Sequence, residues 1–257
     1  MPIITLTSDW GYKDHYQAAV KGSILSKCKE AVIADISHDI SCFDIDQAAF
    51  ILRNSFPFFP EGSIHIIGIN TEASAKSPHL LIKFKNHYFI GADNGIFSLL
   101  FYEIPEKIIE IDIPQDSDYF TFSARDVFVK VACHLANGGA MDDMGKPAKM
   151  LSDKQLIQPI VDENSIRGII TYIDNYENAI TNISESLFKK IAKNRKFIIS
   201  VRMFEIKKIS KAYSEITPGD ILALFGSNGF LQIALNKANA AGLLGIKNKE
   251  TVRIDFL

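Results

Sequence analysis

The chain has no excess of charge of either sign: 28 Lys and Arg stand against 30 Asp and Glu, a formal net charge of −2. Such a balance leaves no electrostatic footprint for nucleic acid. Cysteine is scarce, with 3 in 257 residues. Cys28, Cys42 and Cys133 are odd in number and lack metal-ligand spacing, so neither a disulfide framework nor a zinc site is expected. A reduced, cytoplasmic chain is the simplest expectation. No apolar run reaches the roughly 18 residues needed to cross a bilayer, and the first residues lack the basic, apolar and small-residue pattern of a secretory signal. Neither nucleic acid nor membrane is therefore an expected partner. There is no internal repeat and no low-complexity tract.

What is present is a hydrophobic fraction of 47%, enough for one large domain or two small ones. The β-branched run 3–7 reads as a buried strand that stops at Ser8-Asp9, with Gly11 following and a helix starting near Asp14. Further strand-like runs are 31–36, 63–69, 80–84 and 108–113. Asp44-Ile45-Asp46-Gln47 reads as a capping box before a helix, and 94–102 and 125–136 are also helical. Strands alternating with helices predict an α/β domain with a mainly parallel sheet over 1–150. Residues 151–164 are polar and linker-like. Over 165–257, short β-rich runs (168–173, 196–201, 221–225, 231–235, 252–256) separated by turn residues predict an antiparallel β-barrel domain.

In open α/β sheets, ligands bind beyond the carboxyl ends of the strands. Asp9 stands there, and a carboxylate can accept from both hydroxyls of a ribose. A helix cap or turn Asp is the commoner role for such a residue, and both readings stay open. His38, at the end of the second strand, has no partner at metal spacing and reads as structural. Ala92-Asp93-Asn94-Gly95 reads as a helix start. The stretch Thr121-Phe122-Ser123-Ala124-Arg125-Asp126 leads into a helix whose first N–H groups could face a ligand. Asp174-Asn175-Tyr176-Glu177-Asn178, followed by Thr181-Asn182, reads as an unusually polar turn. Ser227-Asn228-Gly229 is another turn.

Taken in order, these segments resemble the family of S-adenosylmethionine (SAM) hydroxide adenosyltransferases, whose superfamily includes the SAM-dependent fluorinase and chlorinase. The resemblance rests on Thr7-Ser8-Asp9-Trp10-Gly11, Asp35-Ile36-Ser37-His38, Phe59-Pro60-Glu61-Gly62-Ser63-Ile64-His65 and Ala92-Asp93-Asn94-Gly95. It continues through the 121–126 and 174–183 segments, Ser227 to Ala234, and Asn239-Ala240-Ala241. It implies an N-terminal α/β domain, a C-terminal barrel, and a homotrimer holding SAM between neighbouring subunits. SAM enters as substrate or ligand, with no further cofactor. By motif, Asp9 would hold the ribose hydroxyls, Phe43 would wall the pocket and Phe122 would flank the ribose. Asp174 would meet the methionine ammonium and Ser227, with Asn228 beside it, the carboxylate. Tyr176 and Asn178 would line the adenosine and methionine side, and Tyr213 is a candidate to stack on adenine.

The chemistry implied is displacement at ribose C5′ with neutral methionine leaving, so the protein must place and desolvate the nucleophile. Here the sequence departs from the pattern. The hydrolytic branch carries Asp, Arg and His where this chain has Asn70, Ser77 and Ser123, with Lys76 beside the Arg position. Asn70 cannot act as a base, so Asn70 and Ser123 are left to position water. The halide branch uses small hydroxyl residues where this chain has Ala73 and Ala124, and an apolar pocket disfavours a desolvated anion. Glu177 replaces a usual Gly in a turn that needs an unusual backbone angle, and Gln232 replaces a usual Glu. Three functions remain: a SAM hydrolase forming adenosine and methionine, a non-catalytic SAM or adenosine binder, or an enzyme with another nucleophile.

Overall fold

The fold is described from a computed structural model, over residues 1–115, 117–150, 152 and 154–257. The chain divides into two compact units, 1–155 and 156–257. Leu151 and Asp153 of the expected linker lie outside the described residues.

The first unit is built on a seven-stranded sheet. Its strands are β1 (Ile3–Ser8), β2 (Val32–Ser37), β3 (Ile64–Gly68), β4 (His79–Phe84), β5 (His87–Ala92), β6 (Lys107–Ile111) and β7 (Gly145–Pro147). They lie in the order β2-β1-β3-β5-β4-β6-β7. The first four in that order run parallel, and β4, β6 and β7 extend the sheet by antiparallel pairing. The α/β reading holds, with a mixed sheet whose parallel part comprises β2, β1, β3 and β5.

Alternation decides the layers, because successive side chains of a strand face opposite sides. Ile4, Leu6, Ile64 and Ile66 pack on one face with Val20 and Ile24 of α1 (Tyr16–Lys27) and Val131 and Ala132 of α4 (Val129–Ala136). Ile67, Ile82 and Phe89 pack on the other with Ala48 and Leu52 of α2 (Ile45–Ser55) and Phe97 and Leu100 of α3 (Ile96–Leu100). Each fully buried Val, Leu, Ile or Phe side chain here contributes about 1.5–3 kcal/mol. The expected capping box is half formed. Asp44 accepts from the Gln47 N–H at 2.9 Å, but the Gln47 side chain accepts from Ser41 N–H at 2.7 Å instead of returning to Asp44.

The second unit is an antiparallel, nearly closed barrel. Its strands are β8 (Ile160–Val161), β9 (Ser165–Ile173), β10 (Ala179–Ser184), β11 (Phe197–Val201), β12 (Phe204–Ile206), β13 (Ile221–Phe225), β14 (Phe230–Leu235) and β15 (Thr251–Phe256). The order is β12-β11-β15-β9-β10-β14-β13, with β8 paired to β9. A single bridge, Ile209 to Ala223, joins the segment after β12 back to β13. Inside lie Ile166, Ile170, Ile183, Ile233 and Ile254, and α5 (Glu185–Ala192) adds Phe188 against Phe197, Phe225 and Phe256.

Four features differ from the sequence expectation. β5 was not foreseen, nor was α5. Thr181 and Asn182, read as part of a polar turn, lie within β10. The helix expected over 94–102 spans only Ile96–Leu100.

Candidate functional site

Parallel pairing brings the carboxyl ends of β2, β1, β3 and β5 to one edge of the first unit. Asp9 follows β1, His38 follows β2, Asn70 lies two residues beyond β3 and Asp93 follows β5. Asp9 is half-buried, and its Oδ2 accepts from the Phe43 N–H at 2.8 Å. Phe43 adopts a positive φ of 65° and its ring is 72% exposed. The Asp9 carboxylate thus holds the Phe43 backbone, and the Phe43 side chain is left open to solvent.

Phe122 reaches the same edge from the loop before α4. Its ring meets Trp10 edge-on at 5.9 Å and Tyr16 at 5.4 Å, and the Arg125 guanidinium lies over it at 5.1 Å. Ser123 is buried and precedes a single π-helical turn, Ala124–Phe128, that runs into α4. Such turns are rare and frequent at functional sites. The Arg125 and Asp126 N–H groups, offered to a ligand by the sequence reading, both turn back to Phe122 O at 3.1 Å. Arg125 instead forks onto the buried Asp126, at 2.5 and 2.7 Å.

Asn70 is exposed, with φ 44°. The Asn94 side chain pins its loop by donating to Ile69 O at 2.9 Å and Asn70 O at 3.3 Å, while its Oδ1 accepts from Ile96 N–H. The 92–95 motif is therefore a helix start, as expected, and a clamp on the Asn70 loop. Further along, Ser74 and Ser77 form a tight bridge. Lys76 is exposed, whereas Ser77 Oγ is buried with no hydrogen-bond partner among the described residues.

The Trp10 indole closes the floor of this edge against Gly68. A Cβ built on Gly68 would stand 2.3 Å from Trp10 Cζ2. Gly68→Ala is expected to destabilise the first unit by about 1–3 kcal/mol, the usual range for overpacking. Trp10 is the chain's single tryptophan, so a red-shifted emission in the folded variant is the check. Wild-type emission and stability would refute the packing argument.

In the second unit, the turn between β9 and β10 is organised by Asp174. Its Oδ1 accepts from Tyr176 N–H and Asn178 N–H, both at 2.9 Å, and its Oδ2 from Asn178 Nδ2 at 3.0 Å. Three bonds hold this carboxylate, Asn178 is buried, and the Tyr176 ring is 78% exposed. Glu177 sits at φ 59°, the left-handed angle suspected from its replacing a usual Gly. Its side chain accepts from Gly242 N–H at 3.1 Å and its carbonyl from Ala241 N–H at 2.9 Å. These amides open α6 (Ala240–Leu244), which Asn239 caps.

Tyr213 OH accepts from Gln232 Nε2 at 2.6 Å. Burial, reinforced by the Asp174 charge, raises the phenol pKa against the opposing Gln232 bond. A Cβ on Gly226 would meet both Gln232 Oε1, at 2.8 Å, and Asn228 Oδ1, at 3.1 Å. Gln232 thus stands between Tyr213 on one side and the Gly226–Asn228 turn on the other. Ser227 is exposed at the tip of the β13–β14 turn. Asp174 and Ser227 belong to turns at opposite ends of the β10–β14 pair, since Ala179 faces Ile233 and Ser184 faces Phe230.

Sequence reasoning missed Gln232 as the partner of Tyr213 and Ser8 as the partner of His38. Among the described residues, no group of three or more His, Cys, Asp or Glu is placed to hold a metal ion. No helix there is long and apolar enough to cross a membrane.

The sequence matches the SAM hydroxide adenosyltransferase N-terminal domain over residues 4–145 and the C-terminal domain over residues 168–253. It is 30% identical to an (R)-S-adenosyl-L-methionine hydrolase of Methanocaldococcus jannaschii, covering 100% of this chain and 97% of that protein. It is 25% identical to a fluorinase of Nocardia brasiliensis, covering 98% and 96%. Among solved structures, a conserved protein from Thermotoga maritima superposes with a TM-score of 0.90 at 27% identity, over 98% of this chain and 99% of that one. With both domains matched and a hydrolase relative aligned from end to end, the chain belongs to the SAM hydroxide adenosyltransferase family.

Proposed function

We propose that the protein binds SAM and cleaves it by water at ribose C5′. The water oxygen forms the new bond to C5′, the C5′–S bond breaks with its electron pair leaving on sulfur, and the water's proton goes to solvent. The products are adenosine and methionine. The observation that carries the reading is Asp9. It stands at the carboxyl edge of the parallel strands with Oδ2 bound to Phe43 N–H, which leaves Oδ1 to accept from ribose. A relative named for SAM hydrolysis, similar over the whole chain, supports the substrate.

In this reading Phe43 and Phe122 wall the ribose, and Asn70 and Ser123 position the water. Tyr213 stacks on adenine, Tyr176 and Asn178 line the ligand, Asp174 meets the ammonium, and Ser227 with Asn228 meets the carboxylate. The active form is a cytoplasmic homotrimer, with the ligand held between neighbouring copies. A non-catalytic SAM or adenosine binder is the second reading, favoured by the neutral residues at 70, 77 and 123.

A chromatographic time course of the protein with SAM, with and without chloride, decides between them. Adenosine appearing in step with methionine establishes the hydrolase. Intact SAM with measurable affinity establishes the binder, and 5′-chloro-5′-deoxyadenosine would overturn both. Asp9→Ala is expected to weaken adenosine binding by about 1.5–3 kcal/mol, the range for hydrogen bonds to a charged group. Unchanged affinity by calorimetry removes Asp9 from the site.

A further inference from the structure

Beneath the Asp9 loop runs a polar chain, buried at its Ser8–His38 end, that the proposed chemistry does not use. Ser8 Oγ lies 2.5 Å from His38 Nδ1. His38 Nε2 lies 3.1 Å from Asp35 Oδ1, off the line of a full hydrogen bond. Lys21 Nζ donates to Asp35 Oδ2 at 2.6 Å and fixes that carboxylate from the α1 side. Ser8 and His38 are both 0% exposed. The order Ser–His–Asp suggests a nucleophile, but a fully buried Ser8 Oγ reaches no substrate.

The polarity of the chain follows from its end. A carboxylate only accepts, so the imidazole nitrogen facing Asp35 carries the proton. Nδ1 of the neutral ring is then an acceptor, and the Ser8 hydroxyl donates to it. Ser8 Oγ still accepts from the Trp10 N–H at 3.4 Å. His38 O accepts from the Gly11 N–H at 2.7 Å. The imidazole stacks on the Trp10 indole, centroids 6.0 Å apart and planes at 18°, and meets Tyr12 edge-on at 5.4 Å. Asp9 is therefore bracketed: the residue before it and those after it are all held by His38.

We propose that His38 is a positioning residue, which through Ser8, Trp10 and Gly11 fixes the loop that carries Asp9 and so aims the Asp9 carboxylate at Phe43 N–H and at the ribose of a bound nucleoside. The nucleoside half rests on the function proposed above; the loop half does not. The two halves have separate readouts in the full chain: hydrogen exchange at the Phe43 amide, and calorimetric affinity for adenosine.

His38→Phe keeps a flat ring against Trp10 and removes both nitrogens. It is expected to speed exchange at Phe43 and to weaken adenosine, each by about tenfold, the scale of one lost hydrogen bond, with Ile66 in β3 still protected. His38→Asn, whose Oδ1 can accept the Ser8 hydroxyl, restores most of both, which a purely space-filling role would not allow. If Ile66 loses protection in His38→Phe, Ser8→Ala gives the same reading by deleting only the hydroxyl. Unchanged Phe43 exchange in these variants overturns the proposal. Faster exchange with unchanged adenosine affinity overturns its ligand half. A wild-type chain that binds no adenosine overturns the nucleoside reading, while Phe43 exchange still decides the loop.

Discussion

The triple variant Asn70→Asp, Ser77→Arg, Ser123→His is expected to release adenosine from SAM about 10²-fold faster than the parent chain, the lower end of what a positioned acid–base group contributes. Hydroxide is hard to form near neutral pH because bulk water has a pKa near 15.7. The parent offers no base or cation at these three places. The structure suits each replacement. Asn70 is exposed at φ 44°, an angle Asp tolerates better than most residues. Ser77 points its Oγ into the protein without a partner among the described residues, so an Arg there starts inward, whereas Lys76 is solvent-exposed. Ser123 is buried directly after Phe122, beside the aromatic edge formed with Trp10. Chromatography of adenosine under saturating SAM is the measurement. A variant that binds SAM and shows no gain would mean that the 70–78 loop, closed by the Ser74–Ser77 bridge, holds these positions out of line with C5′.

Particular residues show what was legible in the sequence. β1, β2 and β3 are rich in Ile, Val and Thr, and the strand-like runs read from the sequence match them within a residue or two. β5 opens with His87 and closes with Gly91-Ala92, and it follows β4 through a two-residue turn, Lys85-Asn86, with φ of 48° and 60°. No Gly marks that turn, so β4 and β5 gave no hairpin signal. β10 carries Thr181, Asn182 and Ser184, a polarity that local reasoning assigns to a turn although pairing with β9 and β14 makes it a central strand. For the site, the motif positions were legible one by one. Their partners were not, because Asp9 with Phe43, Ser8 with His38 and Gln232 with Tyr213 meet only through the fold.

Acid is expected to weaken the first unit well above the pH at which its carboxylates titrate, and His65 is the main reason. β1 and β3 pair Thr5 with His65, and β3 and β5 pair His65 with Phe89. The imidazole is thereby enclosed: Nδ1 is 2.7 Å from Thr5 Oγ1, Nε2 is 3.1 Å from His87 Nδ1, and the ring stacks on Phe89 at 4.7 Å. Burial, helped by the neighbouring His87, pushes its pKa down to about 3. A folded pKa below the unfolded value near 6.5 means that the unfolded chain binds the proton more tightly. The neutral state is fully stable above about pH 6.5, and stability is lost as pH falls from there towards 3. At pH 5 the loss from His65 alone is about 2 kcal/mol. Burial also lowers the pKa of His38, His79 and His87, which act in the same direction. Burial raises the Asp35 pKa, but the Lys21 hydrogen bond and the neighbouring His38 outweigh it and hold the carboxyl below its ordinary value, so Asp35 adds its share only below about pH 4. Trp10 lies in the first unit and is the only tryptophan, so urea unfolding followed by its emission at pH 7 and pH 5 reads that unit alone. His65→Gln keeps a hydrogen-bonding side chain without a titrating ring. It should reduce the stability difference between the two pH values by about 2 kcal/mol. An undiminished difference would show that His65 is not what makes the unit acid-sensitive.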